Sequence, residues 1–79
     1  MTTTDYAIAG YNGMTADQPA YDSSPNGLAF LAGQFCRTIG LEPKEAKMSR
    51  GYRVRINRDY VVDLNPVLDK KGPATIRRA

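Results

Sequence analysis

The sequence predicts an α+β fold: a small antiparallel sheet built on a β-hairpin (about residues 52–64), packed against one main amphipathic helix (about residues 25–39). Three observations predict it. Apolar residues recur at i, i+3 and i+4 from Leu28 to Ile39, the spacing of a helix with one buried face. Apolar and polar residues alternate on both sides of Asn57-Arg58-Asp59, the period-two pattern of a half-buried hairpin. Finally, the chain has 79 residues, one Cys and no His. It therefore has neither an internal disulfide nor a zinc site to hold it, and one core or a partner chain must do so.

Residues 1–24 read as a loop-rich, acidic part of a single small domain. Tyr6, Ile8 and Tyr11 fit a short helix capped by Thr3 or Thr4, while the alternation of Tyr6, Ile8 and Gly10 also fits an edge strand. From Gly10 to Ser24 the density of Gly, Asn, Asp, Ser and Pro indicates loop. Ser24 is a good N-cap and Pro25 suits the first helical position, where a missing N–H costs nothing. Leu28, Leu31, Ala32, Phe35, Cys36 and Ile39 then form one stripe, and Gly40 follows as the C-cap. Gly27 and Gly33 each cost about 1 kcal/mol relative to Ala inside a helix; Gly33 would permit close packing against a neighbour. Phe30 lies off the stripe, so it either widens the buried face or marks a contact surface.

Glu42 to Lys47 reads as one further helical turn, ended by Gly51. In the hairpin, a three-residue loop Asn57-Arg58-Asp59, with Asp59 left-handed, sets Ile56 opposite Tyr60, Val54 opposite Val62 and Tyr52 opposite Leu64. The other face then carries Arg53, Arg55, Val61 and Asp63, with Arg53 opposite Asp63. A two-residue loop would set Val54 against Asp63 and break every apolar pair, so the three-residue loop is the expected one. Asn65-Pro66 looks like a cap and first helical residue. Ala74-Thr75-Ile76 is a candidate third strand within a basic C-terminal tail, residues 70–79.

Charge is the strongest functional signal. Residues 1–36 hold three acids and no base; the rest hold five acids and all eleven Lys and Arg. Such asymmetry suggests that one end meets something anionic. Catalysis is disfavoured: without His the usual general base is absent, and Cys36 sits on the apolar stripe as a core thiol. Asp17 and Asp22 are loop acids of the solvated or capping kind. Gly10-Tyr11-Asn12-Gly13 has the G-x-x-G spacing by which KH domains clamp a nucleic-acid backbone, but with no base nearby it reads as a Gly/Asn turn. No cofactor is implied. The lone Cys and the lack of a signal peptide or long apolar run indicate a cytoplasmic protein with no membrane partner.

Arg50, Arg53, Arg55 and Arg58 form a dense cluster, with Tyr52 among them. Guanidinium forks suit phosphate or carboxylate. Arg50-Gly51-Tyr52 resembles the start of the RNP1 strand of RNA-recognition motifs. Val54 and Ile56 stand where later aromatics would be useful, so the likeness reads as convergent spacing.

A second resemblance spans residues 10–33. Gly10-Tyr11, Pro19 and Tyr21, and Phe30-Leu31-Ala32-Gly33 resemble the ribosome modulation factor family, which would imply ribosomal RNA binding. Ala20 interrupts the Pro-Tyr pair, and Phe30 stands where the family has Trp.

The first expectation is therefore a non-enzymatic protein that holds nucleic acid or a nucleoprotein complex through the basic Arg50–Arg58 hairpin and the Lys/Arg-bearing tail. The alternative is an inhibitor or adaptor, similar in size and character to phage and mobile-element accessory proteins such as anti-CRISPR proteins. In that case the arginines meet an acidic protein surface and Tyr6, Tyr11, Tyr21 and Phe30 serve as aromatic anchors. A small core and an exposed Phe30 would also suit a homodimer.

Overall fold

The first helix, α1 (Thr3–Tyr11), starts where Thr2 and Asp5 cap each other. The Thr2 hydroxyl accepts from Asp5 N (3.1 Å), and the Asp5 carboxylate accepts from Thr2 N (2.8 Å), satisfying two of the backbone donors a helix start leaves free. The Thr2 N–H and hydroxyl hold the Asp5 carboxyl below its ordinary pKa. The computed structural model describes residues 2–14 and 24–79. Within it the helical reading of Tyr6, Ile8 and Tyr11 holds, and residues 3–11 are helix rather than part of a loop-rich segment. The cap is Thr2, not Thr3 or Thr4. Those two hydroxyls bind Ala46 instead: Thr3 Oγ1 donates to its carbonyl (2.8 Å), and Thr4 Oγ1 accepts from its N–H (3.1 Å).

Helix α2 (Pro25–Ile39) has the predicted bounds. Ser24 Oγ accepts from Gly27 N (3.1 Å), Pro25 opens the first turn, and Gly40 closes the helix in the left-handed conformation (φ 73°). Of the predicted stripe, Leu28, Ala32 and Cys36 are buried, Leu31 and Phe35 are half-buried against the core, and Ile39, at the end of the helix, is exposed instead. The burial is wider than one stripe, because Ala29, Phe30 and Gly33 are buried too. The reason is that α2 has two neighbours, α1 on one side and the sheet on another. A Cβ at Gly33 would fall on the Ala7 carbonyl, and one at Gly10 on the Phe30 carbonyl. The two helices thus meet backbone to backbone, and Gly33 is where that close approach is needed. Arg37, in the last turn of α2, donates to the Tyr11 carbonyl (2.8 Å) and so satisfies the end of α1.

Four strands form one antiparallel sheet in chain order: β1 (Lys47–Ser49), β2 (Arg53–Arg55), β3 (Tyr60–Asp63) and β4 (Thr75–Arg78). The β2–β3 register is the predicted one: Arg53 opposite Asp63, Val54 opposite Val62, and Ile56 N donating to Tyr60 O (3.2 Å). Val54, Ile56, Val62 and Leu64 are fully or almost fully buried, and with Leu28, Ala29, Ala32, Cys36 and Ala7 they form the core. Burying each large aliphatic side chain contributes about 1.5–3 kcal/mol. Sheet and helices therefore make two layers, the α+β architecture expected.

Five local expectations are corrected. Glu42 to Lys47 is not a helical turn. Lys44 N and Glu45 N both donate to the Ile56 carbonyl (2.9 and 3.1 Å), which draws this segment along β2 and makes Lys47–Ser49 a strand. Tyr52 leaves the hairpin ladder for the turn before β2, with φ 58°. Asp59 is not left-handed. Asn57 Oδ1 instead accepts from both Asp59 N and Tyr60 N (2.8 Å each), an Asx turn that reverses the chain without a positive φ. Asn65 is the first residue of a single turn, α3 (Asn65–Leu68), whose cap position is Leu64. The strand in the C-terminal tail is Thr75–Arg78 rather than Ala74 to Ile76, since Arg77 and Arg78 pair with Val61 and Tyr60. Among the described residues no helix is long and apolar enough to cross a membrane.

Candidate binding surface

Strand alternation gives the sheet a second face, away from the helices. Two cross-strand rows define it. One row runs Lys47, Arg55, Val61, Arg77; the other runs Ser49, Arg53, Asp63, Thr75. Apart from buried Asp63, every one of these residues is exposed or half-buried. The face thus carries four cations against one carboxylate. Arg50 lies in the turn at one end of β2 and Arg58 in the loop at the other, both exposed.

Asp63 is the electrostatic pivot. Its Oδ1 accepts from Asn65 N (3.0 Å) and Asn65 Nδ2 (2.6 Å). Its Oδ2 lies 3.7 Å from Arg53 Nε and 3.4 Å from Arg77 Nη2. The Asn65 backbone N–H first, then the Asn65 side-chain amide, and then the Arg53 and Arg77 charges hold this carboxyl below its ordinary pKa against the opposing effect of burial. At 3.7 Å the Arg53 contact is an ion pair and not a hydrogen bond, and Arg53 Nε is buried with no hydrogen-bond acceptor.

Arg55 is held differently. Its Nε donates to the Asn57 carbonyl (3.0 Å) and its Nη2 to the Arg58 carbonyl (2.8 Å). The hairpin loop therefore fixes the guanidinium plane. Lys47 projects into solvent, 3.4 Å from Glu45. Lys47, Met48, Ser49, Arg55, Val61 and Ala79 line an open groove of about 370 Å³.

Tyr52 is 41% exposed. Its left-handed backbone follows Gly51 (φ 65°) and is held from α3: Leu64 N donates to the Tyr52 carbonyl (3.0 Å) and Asn65 Nδ2 to that of Gly51. Arg50-Gly51-Tyr52 is thus a turn and not the start of a strand. The candidate anchors of the N-terminal half fare less well. Phe30 is 2% exposed, because α2 is buried on two sides, so it offers no contact surface and no support for a homodimer. Tyr6 and Tyr11 are half-buried against the core, and Tyr21 lies outside the described residues. Gly10 sits inside α1, so Gly10 to Gly13 is a helix end and not a free loop.

Burial pushes the Cys36 thiol up to about 11, and the side chain is fully buried, an inert core position. Among the described residues no group of three or more His, Cys, Asp or Glu could hold a metal ion.

Sequence reasoning missed Lys47, and it placed Arg77 in a basic tail rather than on the sheet face. The alternation through Lys47-Met48-Ser49 ahead of Gly51, and two more residues on the Ala74-Thr75-Ile76 strand, were the available signals. No family model matches the chain, and no significant match was found among curated proteins or solved structures.

Proposed function

We propose that this is a non-enzymatic, cytoplasmic binding protein that holds nucleic acid, alone or within a nucleoprotein complex, on the outer face of its sheet. The observation that carries the reading is the pair of cross-strand rows, which hold four cations and one carboxylate. Arg50 and Arg58 extend the charge at either end, and the exposed Tyr52, next in the chain to Arg53, is the candidate for contact with a base. Side chains on a flat sheet reach several phosphates of one strand at once, and each phosphate neutralised releases counterions. The likeness of Gly10-Tyr11 and Phe30 to Gly33 to ribosome modulation factors makes ribosomal RNA one ligand to try.

The test is anisotropy titration of labelled single-stranded RNA, single-stranded DNA and duplex, between about 50 and 200 mM salt. Binding that weakens steeply with salt is expected, with both affinity and salt slope lowered by the double variant Arg53→Gln/Arg55→Gln. Absence of binding at low salt overturns the reading. A second reading then takes over: an inhibitor or adaptor of the phage or mobile-element kind, whose arginines meet an acidic protein surface. The exposed Tyr52, next in the chain to Arg53, favours it, since Tyr and Arg are enriched where binding energy concentrates.

A further inference from the structure

The cations of the outer face fall into two sets. Arg53 and Arg77 share Asp63, so much of their charge is answered within the fold. Arg55 is not answered in this way, because among the described residues no carboxylate lies within ion-pair distance of it. The groups that hold it are neutral carbonyls of its own hairpin loop. They fix the fork while leaving its charge intact and its remaining N–H donors available. Lys47 stands directly opposite Arg55, and like charges at opposed positions repel. An anion between them relieves that repulsion. Ser49, on the same face of β1, adds a hydroxyl, and Val61 supplies apolar surface in the same groove.

We propose that this groove takes phosphodiester groups of a nucleic-acid strand, with Arg55 as the preorganised fork, Lys47 as a second, mobile cation and Ser49 as a further donor. The proposal rests on the nucleic-acid reading above and ranks the residues within it: Arg55 and Lys47 ahead of Arg53. Lys47 also has a carboxylate neighbour, Glu45 at 3.4 Å, but that pair is solvent-exposed and screened, whereas Asp63 beside Arg53 is buried. A fork already held in place loses less freedom on binding, so Arg55 has the larger effect.

The experiment is anisotropy of a fluorescein-labelled oligouridylate at two salt concentrations. Arg55→Gln is expected to weaken binding about tenfold. Lys47→Gln is expected to weaken it several-fold and to lower the salt slope by about one. Arg53→Gln should cost less than either, and Lys71→Gln, which removes the same charge outside the groove, less than about twofold. Because Arg55→Gln also removes two loop contacts, Lys47→Gln is the deciding variant; its side chain is 74% exposed and its ion-pair partner is Glu45, outside that loop. Titration of the wild type with inorganic phosphate should shift the amide resonances of residues 47–49, 55 and 61 first. If the wild type binds and Arg53→Gln costs as much as Lys47→Gln, the groove assignment fails while the basic-face reading stands. If the wild type binds no oligonucleotide, both fall.

Discussion

The two faces of the sheet obey opposite rules although they alternate residue by residue along the same strands. Val54 is fully buried, while Arg53 and Arg55 on either side of it turn to solvent. The inner face is closed by aliphatic side chains, and the helix layer above it by two backbones in contact at Gly10 and Gly33. The outer face is charged and open, and its one buried member, Asp63, is itself ionised. Cohesion and surface chemistry therefore depend on different side chains. Substitutions should separate cleanly into those that unfold the protein and those that change what it binds, with Asp63 the residue that belongs to both.

The largest effect expected is from Gly33→Ala. The new methyl has no room against the Ala7 carbonyl, and forcing the helices apart should cost about 3 kcal/mol. Gly40→Ala is the matched control. It meets nothing within 4 Å but must adopt φ 73°, a cost of about 1 kcal/mol. Urea unfolding of both variants compares a clash with a strained dihedral. A Gly33→Ala variant no less stable than Gly40→Ala would mean that the close contact is not what seats α1.

Asp63→Asn comes next, at about 1–2 kcal/mol at neutral pH. The Asp63 carboxyl is held below the ordinary value of 3.8. Its stabilisation is therefore present above that value and lost as pH falls through the folded one. The variant should show a shallower loss of stability below about pH 4 than the wild type, and a thermal melt series in acid measures this. Oligonucleotide affinity should hold or rise, because the carboxylate between Arg53 and Arg77 is gone. A fall in affinity would show that Asp63 organises the face rather than merely neutralising it.

The smallest effect is that of Asn57→Ala, about 1 kcal/mol, since two loop N–H groups lose their acceptor. Asn57→Asp keeps an acceptor and should retain most of that stability in the same melt.

What could be read from the sequence was what local chemistry decides. The bounds of α2 follow from Ser24, Pro25 and Gly40, all within a few residues of the ends they set. The β2–β3 register follows from its own apolar pairs, and with it the shared face of Arg53 and Arg55. What escaped depends on distant groups. Glu-Pro-Lys-Glu-Ala-Lys favours helix by composition, yet the Ile56 carbonyl and two threonines some forty residues away make it extended. Phe30 lies off the single stripe that periodicity reveals, yet it is buried because α2 has neighbours on two sides. Lys47 and Arg77 join the face only because β1 and β4 pair as they do. The left-handed Tyr52 is set by Leu64 N and the Asn65 amide, which no reading of residues 50–52 alone reveals.

The grip of Thr3 and Thr4 on Ala46 has a consequence for how this protein meets copies of itself. β1 borders the sheet, and a border strand offers unpaired backbone groups to any chain that comes alongside. Glu45 N points toward Ile56, so Ala46 presents its N–H and carbonyl to the opposite, open side. Both are already taken by the two hydroxyls. An incoming strand would have to displace them before it could extend the sheet past Lys47. The first turn of α1 thus acts as a stopper on the sheet's margin, guarding against edge-to-edge aggregation with two side chains of modest size.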